Sequence, residues 1–506
     1  MDRFWILFIL LAILIPVSAV SYLKYYRPFD DRNRIIDEGI VQWQPSDTTD
    51  AELLDSPYQQ SVDTGKELRA LFLAGDYQTV ERVIIKARDS GYTPWYRGSW
   101  VAFYFRQLHD VPREPTVETD LKRAEAWLAN SPDSSLAHAY IGDMYSEMGW
   151  NARGSKFRKD TTKDQFRNMN RNFKLAKKSL NRALELDPDQ ESAAYNLLSN
   201  ARANCQREQI TKVFNRAIEQ KPNYYFLYKV NLSSKQVKWC GSYGLMFEFA
   251  RFYAENRDND PMLSHLLAQA HEYRASQYAR EESPVDSLIE KFYPKYNNYW
   301  NRYYRYFRDD AVWQEYSEAN LYTFERMPDY ADGMYRYAKN AAGSGRQQTA
   351  KKYYQLAMEA DAPFLGADKA YNVGVFFGRL DERKQAARYY RLFLGLAKGG
   401  EDRDKLVYAN DYAGWIYAME HRYQESLPHY QRVVDMEPNV VRHVANYCNA
   451  LFNVEEYEKA EIQCERAIKM DPNHAWSYKI LAAIYQRAGE TQKSQEYTNR
   501  YRQLDG

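Results

Sequence analysis

The chain has 506 residues, of which 45% are apolar and 27% charged, so it can bury a large core and is not disordered by composition. Its 69 Lys and Arg nearly balance 68 Asp and Glu, which excludes a whole-molecule basic footprint for nucleic acid. Four cysteines exclude a disulfide-dense secreted scaffold, and 45 tyrosines stand out in the composition.

The N-terminal segment from Phe4 to Leu23 carries no charge. At about 1.5 Å per residue it is long enough to cross roughly 30 Å of hydrocarbon, so we predict a single transmembrane anchor. A cleaved signal peptide is the alternative, because Val17 and Ala19 are small residues where a signal peptidase would cut. The positive residues that follow the segment favour a cytoplasmic body over a periplasmic one. They are Lys24, Arg27, Arg32 and Arg34.

Residues 24–62 contain Pro28, Pro45 and Pro57 among polar residues and are predicted to be a tether. A helical repeat region is predicted over 63–260, with a basic insertion at 151–174. Residues 151–178 hold ten Lys or Arg and two Asp. We interpret them as a solvated loop and helix face, with contact to an anionic surface as the alternative.

Residues 261–330 are predicted to form an aromatic-rich helical junction. Between Phe292 and Tyr337 the chain has sixteen aromatic residues, several of them at helical spacing from Tyr299. We interpret this stripe as core between helix pairs. The alternative is stacking on sugars or extended peptides.

Prolines recur at a fixed interval on both sides of this junction. Pro188 and Pro222 are 34 residues apart, and so are Pro438 and Pro472. Within each period, small residues such as Gly414 stand where two helix backbones would meet. The pattern resembles the tetratricopeptide repeat, a pair of antiparallel helices, and implies an all-α solenoid. The C-terminal array is predicted over 331–506, with its best units at 407–440, 441–474 and 475–506.

Three further segments carry a second resemblance: LFLAGDYQTVE at 71–81, WNARGS at 150–155 and KWCGSYGLMFEFAR at 238–251. Together they resemble an uncharacterised bacterial family that occurs with tetratricopeptide repeats. The resemblance covers about 65–260 and implies a bacterial repeat protein, without any catalytic residue. Cys240 stands where glycine would be expected in that family.

Motifs for catalysis, cofactors and metals are missing from the sequence, so we predict no enzyme activity, no cofactor and no metal. The stretch from Gly343 to Gly345 lacks the remaining residues of a phosphate loop, and His265 and His271 are not spaced as helical metal ligands. Cys448 and Cys464 belong to the two helices of one repeat. We interpret them as buried small hydrophobic residues, with an approach of the two thiols as the alternative.

The first helices of such an array line its concave surface, and aromatic, Asn and Arg side chains there suit an extended peptide. We predict a membrane-tethered scaffold that binds a protein or peptide partner and no nucleic acid. An accessory factor of envelope polysaccharide or secretion machinery, contacting glycan through the aromatic segment, is the alternative. A clamp for a terminal carboxylate would need Lys and Asn where Asp411 and Trp415 stand. The predicted groove residues are Tyr408, Asp411, Tyr412, Trp415, Arg442, Asn446, Asn449, Phe452, Asn453, Trp476, Lys479 and Arg487.

Overall fold

The computed structural model describes residues 57–93, 98–109, 117–155, 160–257, 260–281 and 299–505. These residues are helices and short connections, with one isolated β-bridge between Tyr92 and Ser99, which confirms the all-α fold class. They form two compact units, Tyr58–Ala360 and Asp361–Gly506. The border between them falls after Ala360. The predicted start of the C-terminal repeat array at residue 331 stays a prediction.

The helices of the first unit are α1 Pro57–Ala74, α2 Tyr77–Asp89, α3 Trp100–Leu108, α4 Val117–Asn130, α5 Ser135–Arg153, α6 Lys163–Leu186, α7 Glu191–Ala203, α8 Arg207–Gln220, α9 Tyr225–Ser234, α10 Tyr243–Glu255, α11 Met262–Tyr278, α12 Tyr299–Tyr306, α13 Asp310–Arg326 and α14 Ala331–Ser344. Polar side chains begin several of them. Ser134 accepts a hydrogen bond from the backbone N–H of Ala137, and Thr162 forms a capping box with Gln165. Such caps satisfy N–H groups that have no partner within the helix.

The border between the units lies inside α15, Gln347–Leu365. This helix is kinked at Asp361, whose backbone is not helical, two residues before Pro363. The Asp361 carboxylate accepts a hydrogen bond from the backbone N–H of Phe364 at 3.0 Å and so begins the final turn. The second unit continues with α16 Ala367–Arg379, α17 Arg383–Leu396, α18 Arg403–Met419, α19 Tyr423–Met436, α20 Val441–Asn453, α21 Tyr457–Met470, α22 Ala475–Arg487 and α23 Thr491–Asp505.

Glycines in the first helices of several pairs allow close packing against the second helices. A Cβ atom at Gly374 would lie 2.8 Å from the ring of Tyr390, and one at Gly414 would lie 3.0 Å from the ring of Tyr430. At Gly142 it would lie only 2.4 Å from Cδ2 of Leu180. The small position predicted from the repeat period therefore meets a large side chain of the paired helix, as close helix packing requires.

The segment predicted as a basic insertion lengthens two helices. Helix α5 has 19 residues and α6 has 24, against 13 in α7 and 14 in α8. In the added turns Met169 and Phe173 are buried. Lys163, Arg167 and Arg171 are exposed, in agreement with a solvated charged face.

The aromatic residues between 299 and 337 contribute mainly to the core. Phe307, Tyr316, Tyr330 and Tyr337 are all buried. Several tyrosines of this stretch are half-buried, and Trp300 is 49% exposed, with the Lys339 ammonium 4.0 Å from its ring centroid. These positions support the core interpretation of the aromatic stripe.

A buried polar network joins α11, α13 and α14. The guanidinium of Arg336 donates to Glu272 Oε2 at 2.8 Å, to the hydroxyl of Tyr330 at 3.1 Å and to His265 Nε2 at 3.0 Å. Because Nε2 of His265 accepts, its ring proton lies on Nδ1, which donates to Asn320 Oδ1 at 3.1 Å. Burial, followed by the charge of Arg336, holds the pKa of His265 well below its usual value. His265 is therefore a neutral structural histidine.

The structure pairs all four cysteines in disulfides. Cys448 and Cys464 face each other across α20 and α21 with a Cα separation of 5.4 Å. The prediction that these two are unpaired hydrophobic residues is therefore wrong, although both are fully buried. The second disulfide, between Cys205 and Cys240, has a Cα separation of 5.9 Å and was not foreseen.

Backbone geometry explains the glycine expected at position 240. Cys240 has a φ of 66° and Cys205 a φ of 58°, a region that favours glycine. The short turn at 240 needs this conformation, and a cysteine that adopts it can bond to Cys205.

We expect protein produced in an oxidising compartment to show no reactive thiol when unfolded without reductant, and all four after reduction. The bridges close loops of 35 and 16 residues. Reduction should therefore lower stability by about 2–4 kcal/mol for each bridge. Thiol titration and thermal melts measure both effects. A Cys448→Ala/Cys464→Ala variant should expose only two thiols on reduction, and free thiols in the unreduced wild-type chain would contradict the pairing.

No helix within the described residues is both long and apolar enough to span a bilayer. The longest, α6, has charged residues along its whole length. The predicted anchor from Phe4 to Leu23 lies outside the described residues. The lack of a membrane-spanning helix within the described residues contradicts the predicted single-pass membrane localisation, cytoplasmic or periplasmic. We do not retain that prediction.

Candidate partner-binding surface

The candidate surface is carried by α18, α20 and α22, the first helices of the last helix pairs. Tyr408, Arg442 and Trp476 occupy the same position in these helices, since each follows the previous one by 34 residues. Tyr408 is 49% exposed and Trp476 47%, and the side chain of Arg442 is 69% exposed. None of the predicted groove residues is buried. The repeat register thus placed them all at least partly in solvent.

A ladder of aromatic rings runs from α16 through α17 to α18, the first helix of this surface. The ring of Tyr390 lies 5.5 Å from that of Tyr408 and 5.0 Å from that of Tyr412, and Tyr371 lies 5.5 Å from Tyr390. Trp415 continues the ladder 5.5 Å beyond Tyr412. Burial raises the pKa of the Tyr390 phenol well above its usual value, so it stays neutral.

Tyr371 and Tyr390 were not among the predicted groove residues. They come from the preceding helix pair, α16 and α17, whose repeat pattern is looser. The sequence signal that would have found them is the tyrosine-rich composition of that pair. A single repeat register does not show that Tyr390, a second-helix residue, reaches the rings of α18.

An ion pair joins successive first helices. The guanidinium of Arg442 on α20 donates to Asp411 Oδ2 on α18 at 2.9 Å. Nδ1 of His443 lies 3.6 Å from the other oxygen of the same carboxylate. Asp411 therefore neutralises the cation that would otherwise attract an acidic ligand, which agrees with the missing carboxylate clamp.

Two further cations lie on aromatic rings towards the C-terminus. The guanidinium carbon of Arg487 is 4.8 Å from the ring centroid of Phe452, and the ammonium of Lys479 is 4.4 Å from that of Trp476. Such cation–π contacts hold flexible cationic side chains against the surface. Lys479 also lies 5.5 Å from the ring of Tyr501 on α23.

The asparagines of α20 complete the predicted set. Asn453 donates from its side chain to the backbone carbonyl of Asn449 at 2.7 Å, whereas Asn446 is half-buried on the same helix. The structure therefore brings the residues of α18 together with Arg442, and it pairs Phe452 with Arg487 and Trp476 with Lys479. Contact of these groups with a partner stays a prediction.

Comparison with known proteins locates a repeat in this region. Residues 464–496 match the tetratricopeptide repeat. The chain is 28% identical over 85 residues to the TPR repeat-containing thioredoxin TTL4 of Arabidopsis thaliana, which corresponds to 17% of this chain and 12% of that relative. The chain thus spans a small part of the curated relative it matches.

Two solved structures are also similar to parts of the chain. YrrB, described as a TPR protein with an unusual peptide-binding site, is 20% identical, with a TM-score of 0.28, and the match covers 37% of this chain and 93% of YrrB. MamA from Desulfovibrio magneticus RS-1 is 17% identical, with a TM-score of 0.27, covering 35% of this chain and 94% of MamA.

The described residues form an all-α protein of packed helix pairs, and residues 464–496 match the tetratricopeptide repeat. That part of the expected resemblance is confirmed. The resemblance of 65–260 to an uncharacterised bacterial family is not shown by these matches and stays a prediction, as does a bacterial origin.

Proposed function

We propose that this chain is a non-enzymatic scaffold that binds a protein or peptide partner on the first-helix face of its C-terminal helix pairs. The observation that carries the proposal is the solvent exposure of large side chains at equivalent repeat positions. They are Tyr408, Arg442 and Trp476. Exposed aromatic and Arg side chains grouped on one face are typical of binding surfaces. First helices line the concave side of such solenoids.

The chemistry of the surface favours an extended peptide with aromatic or aliphatic side chains. The aromatic ladder offers flat apolar area, and the asparagines of α20 offer donors and acceptors to a peptide backbone. The pairing of Asp411 with Arg442 leaves little net charge at this point. Recognition is therefore expected to depend more on apolar contact than on an acidic group of the ligand.

Burial of the aromatic stripe between 299 and 337 weighs against glycan binding as a second function. Tyr316, Tyr330 and Tyr337 have no exposed face for stacking on a sugar ring. We therefore do not develop that alternative.

A Trp415→Ala/Arg442→Ala variant should bind partner peptides at least about tenfold more weakly, while its melting temperature stays near that of the wild type. Both side chains are partly or largely exposed, and such substitutions usually change stability by only about 0.5 kcal/mol. Peptides selected from a random displayed library on the full chain supply the ligands, and calorimetry measures their affinities for the variant.

The matched control is Trp300→Ala/Arg326→Ala, which removes an exposed tryptophan and an exposed arginine from the other unit. It should bind the selected peptides as the wild type does. Equal affinity of the Trp415→Ala/Arg442→Ala variant and the wild type would place the binding site elsewhere. A large fall in its melting temperature would show that the repeat register is wrong.

A further inference from the structure

Two of the sequence segments that the proposed function leaves unused meet in the first unit. Trp150, in WNARGS, lies near the end of α5, and Trp239, in KWCG, lies in the 3₁₀ turn Val237–Trp239. Their ring centroids are 5.8 Å apart and the rings are nearly perpendicular, at 85°. They are separated by about 90 residues in sequence, so the contact brings distant parts of the chain to one point.

Two arginines share these rings. The guanidinium carbon of Arg202, in the last turn of α7, lies 5.4 Å from the ring centroid of Trp150 and 5.0 Å from that of Trp239. The guanidinium carbon of Arg153 lies 6.0 and 5.0 Å from the same two centroids. Two like charges are therefore held against one pair of aromatic rings.

Arg202 keeps hydrogen-bonding capacity that the protein does not use. It donates to the hydroxyls of Ser233 at 2.8 Å and Ser199 at 3.3 Å, and it forms no ion pair with a carboxylate among the described residues. Among the described residues no acceptor faces its buried Nε–H, and none faces the buried indole Nε1–H of Trp239. A buried donor without a partner is unfavourable, so two such donors beside a charge differ from ordinary core packing.

The charges around these donors are positive. Burial, and then the charges of Arg202, Arg280 and Arg153, lower the pKa of Lys238. Among the described residues no acidic group is a cause of this shift. Lys238 lies in the same turn directly before Trp239, and its ammonium is 5.8 Å from the centroid of that ring.

The disulfide fixes the relative position of the two segments. Cys240 directly follows Trp239, and Cys205 lies three residues after Arg202. The bond therefore ties the turn that carries the indole donor to the helix end that carries the guanidinium donor. Such a covalent link holds a site in place before a ligand arrives.

We propose that Arg202 and Trp239, surrounded by Arg153 and Lys238, form a binding site for an oxyanion, a carboxylate or phosphate group of a ligand. Guanidinium groups bind such anions through paired N–H donors, and an indole N–H adds a third donor at the edge of the ring. The anion neutralises the clustered cations and accepts from the two donors that the protein leaves unsatisfied. The site lies in the unit Tyr58–Ala360 and does not depend on the surface proposed above in the other unit.

The competing explanation is a purely structural stack of arginines on tryptophans. The two explanations predict different effects of Trp239→Phe on anion binding. Phenylalanine keeps an aromatic face but removes the N–H donor. If the stack is only structural, losing an unsatisfied donor has no effect on anion binding. If the site binds an oxyanion, the substitution weakens binding without lowering the melting temperature of the anion-free protein.

The test is calorimetric titration of the full, oxidised chain with inorganic phosphate and, separately, with acetate, at ionic strength held constant with chloride. We expect the wild type to bind at least one probe, and the stronger of the two identifies the group that the site prefers. Trp239→Phe should weaken that binding about tenfold, and Arg202→Met should abolish it. Arg326→Met, which removes a guanidinium 3.8 Å from the ring of Tyr322, is the control and should bind as the wild type does.

Absence of binding by both probes, or equal binding by wild type, Trp239→Phe and Arg202→Met, would overturn the proposal. If Arg202→Met does not fold, Trp239→Phe decides alone, because its effect does not involve the arginine. Equal losses in Trp239→Phe and the Arg326→Met control would also overturn it, since binding would then follow general charge and packing rather than this site.

Discussion

Replacing Arg336 with methionine is expected to lower the stability of the first unit by about 3–5 kcal/mol, the usual cost of removing one partner of a buried ion pair. The side chain of Glu272 is only 9% exposed and accepts from Arg336 at 2.8 Å. Without the guanidinium, the donors to this carboxylate among the described residues are the neutral groups of Gln269 at 2.8 Å and Tyr316 at 3.2 Å. Asp332, 3.1 Å from Nε of Arg336, loses the same partner.

Urea unfolding followed by circular dichroism measures this loss, with Arg326→Met as control. Arg326 is a largely exposed arginine that pairs with Glu325, so its loss should change stability by less than about 1 kcal/mol. A Glu272→Leu substitution added to Arg336→Met removes the stranded carboxylate and should restore part of the loss. Equal midpoints for Arg336→Met and Arg326→Met would show that the network does not hold these helices together.

The 34-residue period predicted the helix pairs because the need for a small residue where two helices pack recurs in each repeat. Gly374 and Gly414 stand where the second helix brings Tyr390 and Tyr430 against the first. A small residue is needed at each such contact, so its spacing is visible in the sequence. The same register gave Tyr408, Arg442 and Trp476 equivalent positions in their helices, and all three are exposed.

Interactions between particular distant residues were not visible in the same way. Arg336 and His265 are 71 residues apart, and Cys205 and Cys240 are 35 apart. Helical periodicity shows that a side chain faces inward but not which side chain it meets there. The buried network, the Cys205–Cys240 disulfide and the meeting of Trp150 with Trp239 therefore required the structure, whereas the approach of Cys448 to Cys464 is the alternative interpretation of the repeat register.

Gly142→Ala is expected to lower stability by about 1–3 kcal/mol, although alanine is the better helix former by about 1 kcal/mol. The added Cβ would lie 2.4 Å from Cδ2 of Leu180, 2.5 Å from its Cγ and 3.3 Å from its backbone nitrogen. Leu180 is fully buried, so its side chain has little room to move away. Either Leu180 adopts a strained rotamer or α5 and α6 separate, and both changes disturb the core.

Gly414→Ala makes the matched comparison, because the same substitution is made at the same repeat position with more room. Its Cβ would lie 3.0 Å from the edge of the Tyr430 ring, a contact that a shift of a few tenths of an ångström relieves. The gain in helix propensity should then offset most of the cost, leaving a change in stability near zero.

Adding Leu180→Ala to Gly142→Ala removes the clashing atoms. The double variant should therefore lose less stability than the sum of the two single variants, because the residues are in contact. Thermal and urea unfolding of the set measure these differences. If Gly142→Ala is as stable as Gly414→Ala, the close approach of α5 and α6 does not exist in solution.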